Sequence, residues 1–114
     1  MHVRTKDGVV TTTAAARILD GPEAGVYIIR LVTFYNPTGA AVTFVLRRIS
    51  LDEDRQEITT RRWDDSIPAT DSWVFGTLGG RIVLSPGQRL ELVLDSSPAN
   101  PVEYGLDYSW EIEP

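Results

Sequence analysis

Cysteine is absent from the 114 residues, and histidine, lysine and methionine occur once each. Without cysteine there is no disulfide framework and no thiolate metal cluster, so a zinc or iron site would have to be built from a very poor ligand inventory. The single histidine, His2, and the single lysine, Lys6, both lie at the amino end. A nucleophile paired with a base would have to recruit that end of the chain, so the expectation is a protein that is not an enzyme and carries no cofactor. Long apolar runs are missing too. Nothing approaches the roughly 18 residues a membrane-spanning helix needs, and the opening MHVRTKDGVVTTTAAARILD lacks the apolar segment of a secretion signal. The expectation is a soluble protein made without a cleaved leader.

Excess positive charge is also lacking. The net charge is −5 and the isoelectric point about 4.7. Such a surface repels phosphate backbones and anionic lipid, so neither nucleic acid nor membrane is an expected partner. The 42% hydrophobic and 24% charged content is that of an ordinary globular chain, and the length suits one domain.

What the chain does have is strand patterning. From Val102 to Ile112 an apolar residue occupies every second position, with Glu103, Gly105, Asp107, Ser109 and Glu111 between, which predicts a long strand wetted on one face. Upstream, the turn Ser85-Pro86-Gly87-Gln88 separates two strand-like runs, and Asn36-Pro37-Thr38-Gly39 separates two more that are rich in β-branched and aromatic residues. Each reads as a hairpin, the first through a type II turn. The run from Val26 to Tyr35 is apolar on both faces apart from Arg30 and Thr33, as expected of a central strand or of one with a face reserved for another subunit. Weaker strands are read over Thr11–Leu19, Glu57–Asp64 and Ser72–Gly76. These make about eight strands, and the reading is an all-β protein: an antiparallel β-sandwich, with the jelly roll as one form of it. Residues 17–114 are taken as a single sandwich domain, and residues 1–16 as an amino-terminal arm or edge segment.

Candidate chemistry is thin. Glu111 and Glu113, like Asp64 and Asp65, read as solvated acids that protect strand edges and not as a glycosidase pair. The acids of LDEDRQE lack the glycine and spacing of a calcium loop and read as a solvated hairpin loop. Gly76, Gly79 and Gly80 read as a bend or bulge between strands. The strongest contact surface is TTRRWDDSIPATDSWVF, which holds Arg61, Arg62, Trp63, Trp73 and Phe75. Trp and Arg dominate binding hot spots because they supply large contact areas with few rotamers lost. The same tryptophans could instead be core residues covered by arginine stems, or could form a platform for sugar rings, so a glycan stays open as a partner.

An opening turn from Gly21-Pro22 to Gly25, a strand ending in Asn36 before a small-residue turn to Ala40, and LSPGQRL, Leu84 to Leu90, follow one another along the chain. In these features the chain resembles the small β-sandwich virion structural proteins of tailed bacteriophages. The resemblance spans roughly Ile18 to Ile112. It implies a decoration or cement protein on the capsid, or an accessory component of neck, tail or fibre, located in the virion. The implied partners are other virion proteins, either the major capsid protein or those of neck and tail. It also implies copies of the chain in a closed homo-oligomer, of which a trimer is one case. It carries no functional residue across, because the shared features are turns and strands.

Overall fold

The computed structural model describes residues 2–76, 80–95, 98 and 100–112, the side chain of His2 excepted. Nine strands appear among them: β1 (His2–Val10), β2 (Ala16–Asp20), β3 (Val26–Asn36), β4 (Val42–Leu51), β5 (Glu57–Ile67), β6 (Asp71–Phe75), β7 (Ile82–Leu84), β8 (Arg89–Leu94) and β9 (Val102–Glu111). Among the described residues no helix is long and apolar enough to cross a membrane.

The strands form two antiparallel sheets packed as a sandwich. One has the order β1-β9-β3-β6, with β7 also on β3, and the other has the order β2-β8-β4-β5. Of the described strands, only β4 and β5 are consecutive and paired to each other as a hairpin. Apart from β6 to β7, every other connection carries the chain from one sheet to the other. This is the double Greek-key order of a jelly roll. The strand number exceeds eight because β6 and β7 share one edge of the sheet. β6 pairs with Val32–Asn36 and β7 with Tyr27–Ile29. Between them the chain bends at Gly76, whose φ is +106° and which sits so close to the Arg30 carbonyl that a Cβ there would overlap it.

Both turns read as hairpins are instead crossovers between the sheets. Ser85–Gln88 does form the expected turn, with Gln88 N donating to Ser85 O at 3.1 Å and Gly87 at φ +83°. It links β7 of the first sheet to β8 of the second, however. Asn36–Gly39 likewise links β3 to β4 across the sandwich. Here the cause is a polar clasp. The Asn36 side-chain amide is buried and donates to the carbonyls of Ala40, Ile67 and Pro68 at 2.8, 3.1 and 3.2 Å, while its Oδ1 accepts from Thr38 N at 3.0 Å. A turn that pairs with Ile67 and Pro68 is tied to the β5–β6 connection and not to a hairpin partner.

The core lies between the sheets. Ile29, Val32, Phe34, Ile82, Leu84, Val102 and Leu106 from one sheet meet Ile18, Phe44, Leu46, Ile67, Leu90, Leu92 and Leu94 from the other. Val26–Asn36 is a central strand between β9 and β6/β7. Its two-faced apolar look comes from a bulge: pairing with β9 shifts between Ile29 and Leu31, so Arg30 is the extra residue. A second bulge at Ile18 makes Ile18 and Leu19 consecutive buried residues.

Three further expectations are corrected. The strand read over Thr11–Leu19 is confined to Ala16–Asp20, because 11–15 carry the chain between sheets. The last strand stops at Glu111, leaving Ile112 57% exposed instead of inward. Ser109, on the face expected to be wet, is fully buried beside Ile28, and its Oγ has no hydrogen-bond partner among the described residues. Glu113 and Gly79 lie outside the described residues.

Candidate functional site

β5 and β6 are consecutive in sequence but lie at the edges of different sheets, joined by the short Pro68–Thr70 connection. The seam between them is filled by aromatic rings. Trp73 stacks on Phe34 (5.3 Å between centroids) and on Phe75 (6.5 Å), and meets Phe44 edge-on at 4.9 Å. Phe75 in turn meets Trp63 edge-on at 5.3 Å. Trp63, Trp73 and Phe75 are half-buried and pack against the core. The ring file thus runs from the closed interior, at Phe34 and Phe44, to the surface.

Arg61 caps its outer end. Its guanidinium lies 4.6 Å from the Trp63 ring centroid and 5.9 Å from that of Phe75, and Nη1 donates to the carbonyl of Arg81 across the seam at 3.0 Å. A cation over an aromatic face is held electrostatically, and among the described residues the side-chain fork makes no hydrogen bond other than the one to Arg81. Trp73 Nε1 donates to Asp65 at 2.8 Å. Asp65 was expected to be only a solvated acid, and its role was missed because its partner lies eight residues on, across a change of sheet. The structure therefore brings together Arg61, Trp63, Trp73 and Phe75. It separates Arg62, which projects from the other face of β5 and pairs with Asp64 at 2.8 Å. The tryptophans are core and surface at once: Trp73 is enclosed by three phenylalanines, and Trp63 is covered by Arg61.

Two other surfaces carry polar groups. On the outer face of the second sheet, Glu91 is 4% exposed and lies between two arginines. Arg47 Nη2 donates to it at 3.0 Å and Arg89 Nε at 2.6 Å, while Arg89 Nη2 reaches Glu57 at 2.7 Å. Burial pushes the Glu91 carboxyl up, but the hydrogen bonds from Arg89 and Arg47 outweigh it and hold the group below its ordinary range. Arg89 is raised above its ordinary value by its hydrogen bonds to Glu57 and Glu91. On the outer face of the first sheet, a shallow basin of about 600 Å³ is lined by Asp7, Glu103, Gly105, Asp107, Thr33 and Tyr35 among others. In the LDEDRQE loop, Asp52 accepts from the backbone N–H groups of Asp54 and Gln56, both at 2.9 Å, so its carboxylate is used within the loop.

Neither a family model nor a curated protein matches this chain. Among solved structures, the crystal structure of the Yersinia pseudotuberculosis-derived mitogen is similar, with a TM-score of 0.52 and 12% identity over 99% of this chain and 89% of that one. At that identity the likeness concerns the antiparallel β-sandwich fold and nothing more.

Proposed function

We propose that this chain is a non-enzymatic structural component of a bacteriophage-like particle, a capsid decoration or cement protein that works through protein–protein contacts repeated over many copies. The observation that carries the reading is the Arg61-capped aromatic seam between β5 and β6. A half-covered Trp63 and Phe75 under a guanidinium is the composition of a binding hot spot, and it lies at an edge of the sandwich, where a partner can reach it. The order of strands and turns resembles small virion sandwiches, and such a role needs no reactive group, because avidity across a symmetric lattice multiplies modest contacts.

The test is attachment of purified protein to phage heads lacking decoration and, separately, to tail preparations. Binding to heads that is lost on Trp63→Ala supports capsid decoration, and binding confined to tails moves the chain to a neck, tail or fibre position. Attachment to neither defeats the proposal. Glycan-array binding that Trp63→Ala abolishes would put a carbohydrate-binding module in its place.

A further inference from the structure

We infer that β1 is a docking edge for a second copy of this chain, and that two copies join by antiparallel β1–β1 pairing into one continuous sheet.

Edge strands are ready templates for further pairing, and proteins blunt them by shortness, bulges, proline or charge. Among the described edges of this sandwich, most are blunted. β2 has five residues and a bulge at Ile18. β6 has five residues and β7 three. β5 is long, but its register with β4 slips at Thr60 and it carries Arg61, Arg62, Asp64 and Asp65. β1 also carries charge, in Arg4, Lys6 and Asp7, but among these edges it alone is both long and regular. Nine residues, HVRTKDGVV, pair with β9 in unbroken register from His2 opposite Trp110 to Val10 opposite Val102, with no proline and no bulge. Every second residue therefore turns a backbone N–H and C=O outward along the full length of a straight edge. The same strand exposes Val3 by 75% and Val9 by 59%, the two most exposed valines of the described residues.

The sequence of β1 also selects its partner. In two copies related by a two-fold axis normal to the sheet, opposed residues lie on the same face, so their numbers sum to an even value. A sum of 12 is the register that opposes all nine residues of β1 to all nine of the second copy. It sets Val3 against the second copy's Val9 and Val9 against its Val3, giving an apolar cross-strand pair near each end. It also sets Thr5 against Asp7 twice, a hydroxyl donor beside a carboxylate. A sum of 10 would put Arg4 against Lys6 twice and Val3 against Asp7. A sum of 14 would put Asp7 against itself and leave the valines unmatched. The favoured register has one unfavourable position: Lys6 meets the second copy's Lys6 at the axis, on the opposite face from the valines. That repulsion keeps the pair weak and makes it tighten as salt rises, the reverse of an interface held by opposite charges.

The pairing does not depend on the particle reading, and purified chain alone tests it. Sedimentation over a concentration series should show a monomer–dimer equilibrium that tightens several-fold between about 50 and 500 mM salt, and Lys6→Thr should tighten it further at low salt. Because the chain has no cysteine, cross-linking reads the register directly. Opposed Cα atoms in antiparallel pairs lie about 4.5–5.5 Å apart, within disulfide reach. Under oxidation, Val3→Cys/Val9→Cys and Lys6→Cys should each give a covalent dimer. Val3→Cys alone should not, since the two copies of residue 3 would stand about 20 Å apart. Circular dichroism confirms that each variant stays folded. A chain that remains monomeric at high salt, a dimer that Lys6→Thr fails to tighten, or cross-linking of Val3→Cys alone as efficiently as the double variant would overturn the inference.

Discussion

Two polar residues sit where burial makes their partners decisive. The Asn36 amide serves three carbonyls from two parts of the chain and the loop N–H of Thr38. Asn36→Ala removes the donors from Ile67 and Pro68 together and is expected to cost about 2–4 kcal/mol. Asn36→Asp keeps the shape but turns an anion toward carbonyl oxygens, so its loss should be larger; urea midpoints of the two variants give the comparison. Glu91 supplies a pH signature. Its folded carboxyl titrates below the unfolded value of about 4.3. In the window between the two the unfolded chain holds more protons, so the stabilisation is complete above that unfolded value and drains away as pH falls through the folded one. Urea midpoints measured from neutral pH into that window should fall more steeply for the natural chain than for Glu91→Gln, which lacks the titrating group. Parallel slopes would mean the Arg89 and Arg47 hydrogen bonds do not set the titration.

At the scale of the strand, the bulge at Arg30 reconciles a two-faced apolar sequence with a sheet that has one inner face. Ile29, Val32 and Phe34 all point inward only because Arg30 is an extra residue in the pairing with β9. Deleting Arg30 leaves Ile29, Leu31 and Val32 in plain alternation, so that variant should fold, with a lowered melting temperature. Deleting Thr33 shifts Phe34 and Asn36 to the wrong face, and dichroism and exchange protection should show it unfolded. The contrast also explains what could be read in advance. The period of two located β9 to within one residue, because alternation is a local property, and β-branched and aromatic content placed the Val26–Tyr35 run within one residue of β3. Bulges at Ile18 and Arg30 were illegible, since a bulge is defined by the facing strand. The two turns taken for hairpins were misassigned for the same reason. Ser-Pro-Gly-Gln and Asn-Pro-Thr-Gly say that the chain reverses, while the choice of sheet is made by distant groups such as the Ile67 and Pro68 carbonyls.

In the whole molecule, the jelly-roll order sends nearly every connection across the sandwich and sets β5 and β6 along one of its edges, facing each other from different sheets. Four of the five contact residues expected from the sequence gather there, and composition alone could name them because two of the three tryptophans fall close to an adjacent arginine pair within residues 61–75. Composition could not divide them between packing and contact, and depth along the ring file does. Trp73, wedged among Phe34, Phe44 and Phe75, belongs to the core, so Trp73→Ala should cost about 3 kcal/mol or more of folding stability. Arg61 lies at the open end, where an exposed cation–π contact is worth about 0.5–1 kcal/mol, so Arg61→Ala should change stability by no more than about 1 kcal/mol. If the seam is the surface by which the chain attaches to a particle, the same Arg61→Ala should weaken attachment about tenfold or more, a loss of about 1.4 kcal/mol located in the contact and not in the fold. Melting curves and particle co-sedimentation on the two variants separate these effects. A Trp73→Ala protein that melts early and an Arg61→Ala protein that melts normally but no longer sediments with particles would place the contact at the rim of the seam. Normal co-sedimentation of Arg61→Ala would move it elsewhere on the sandwich.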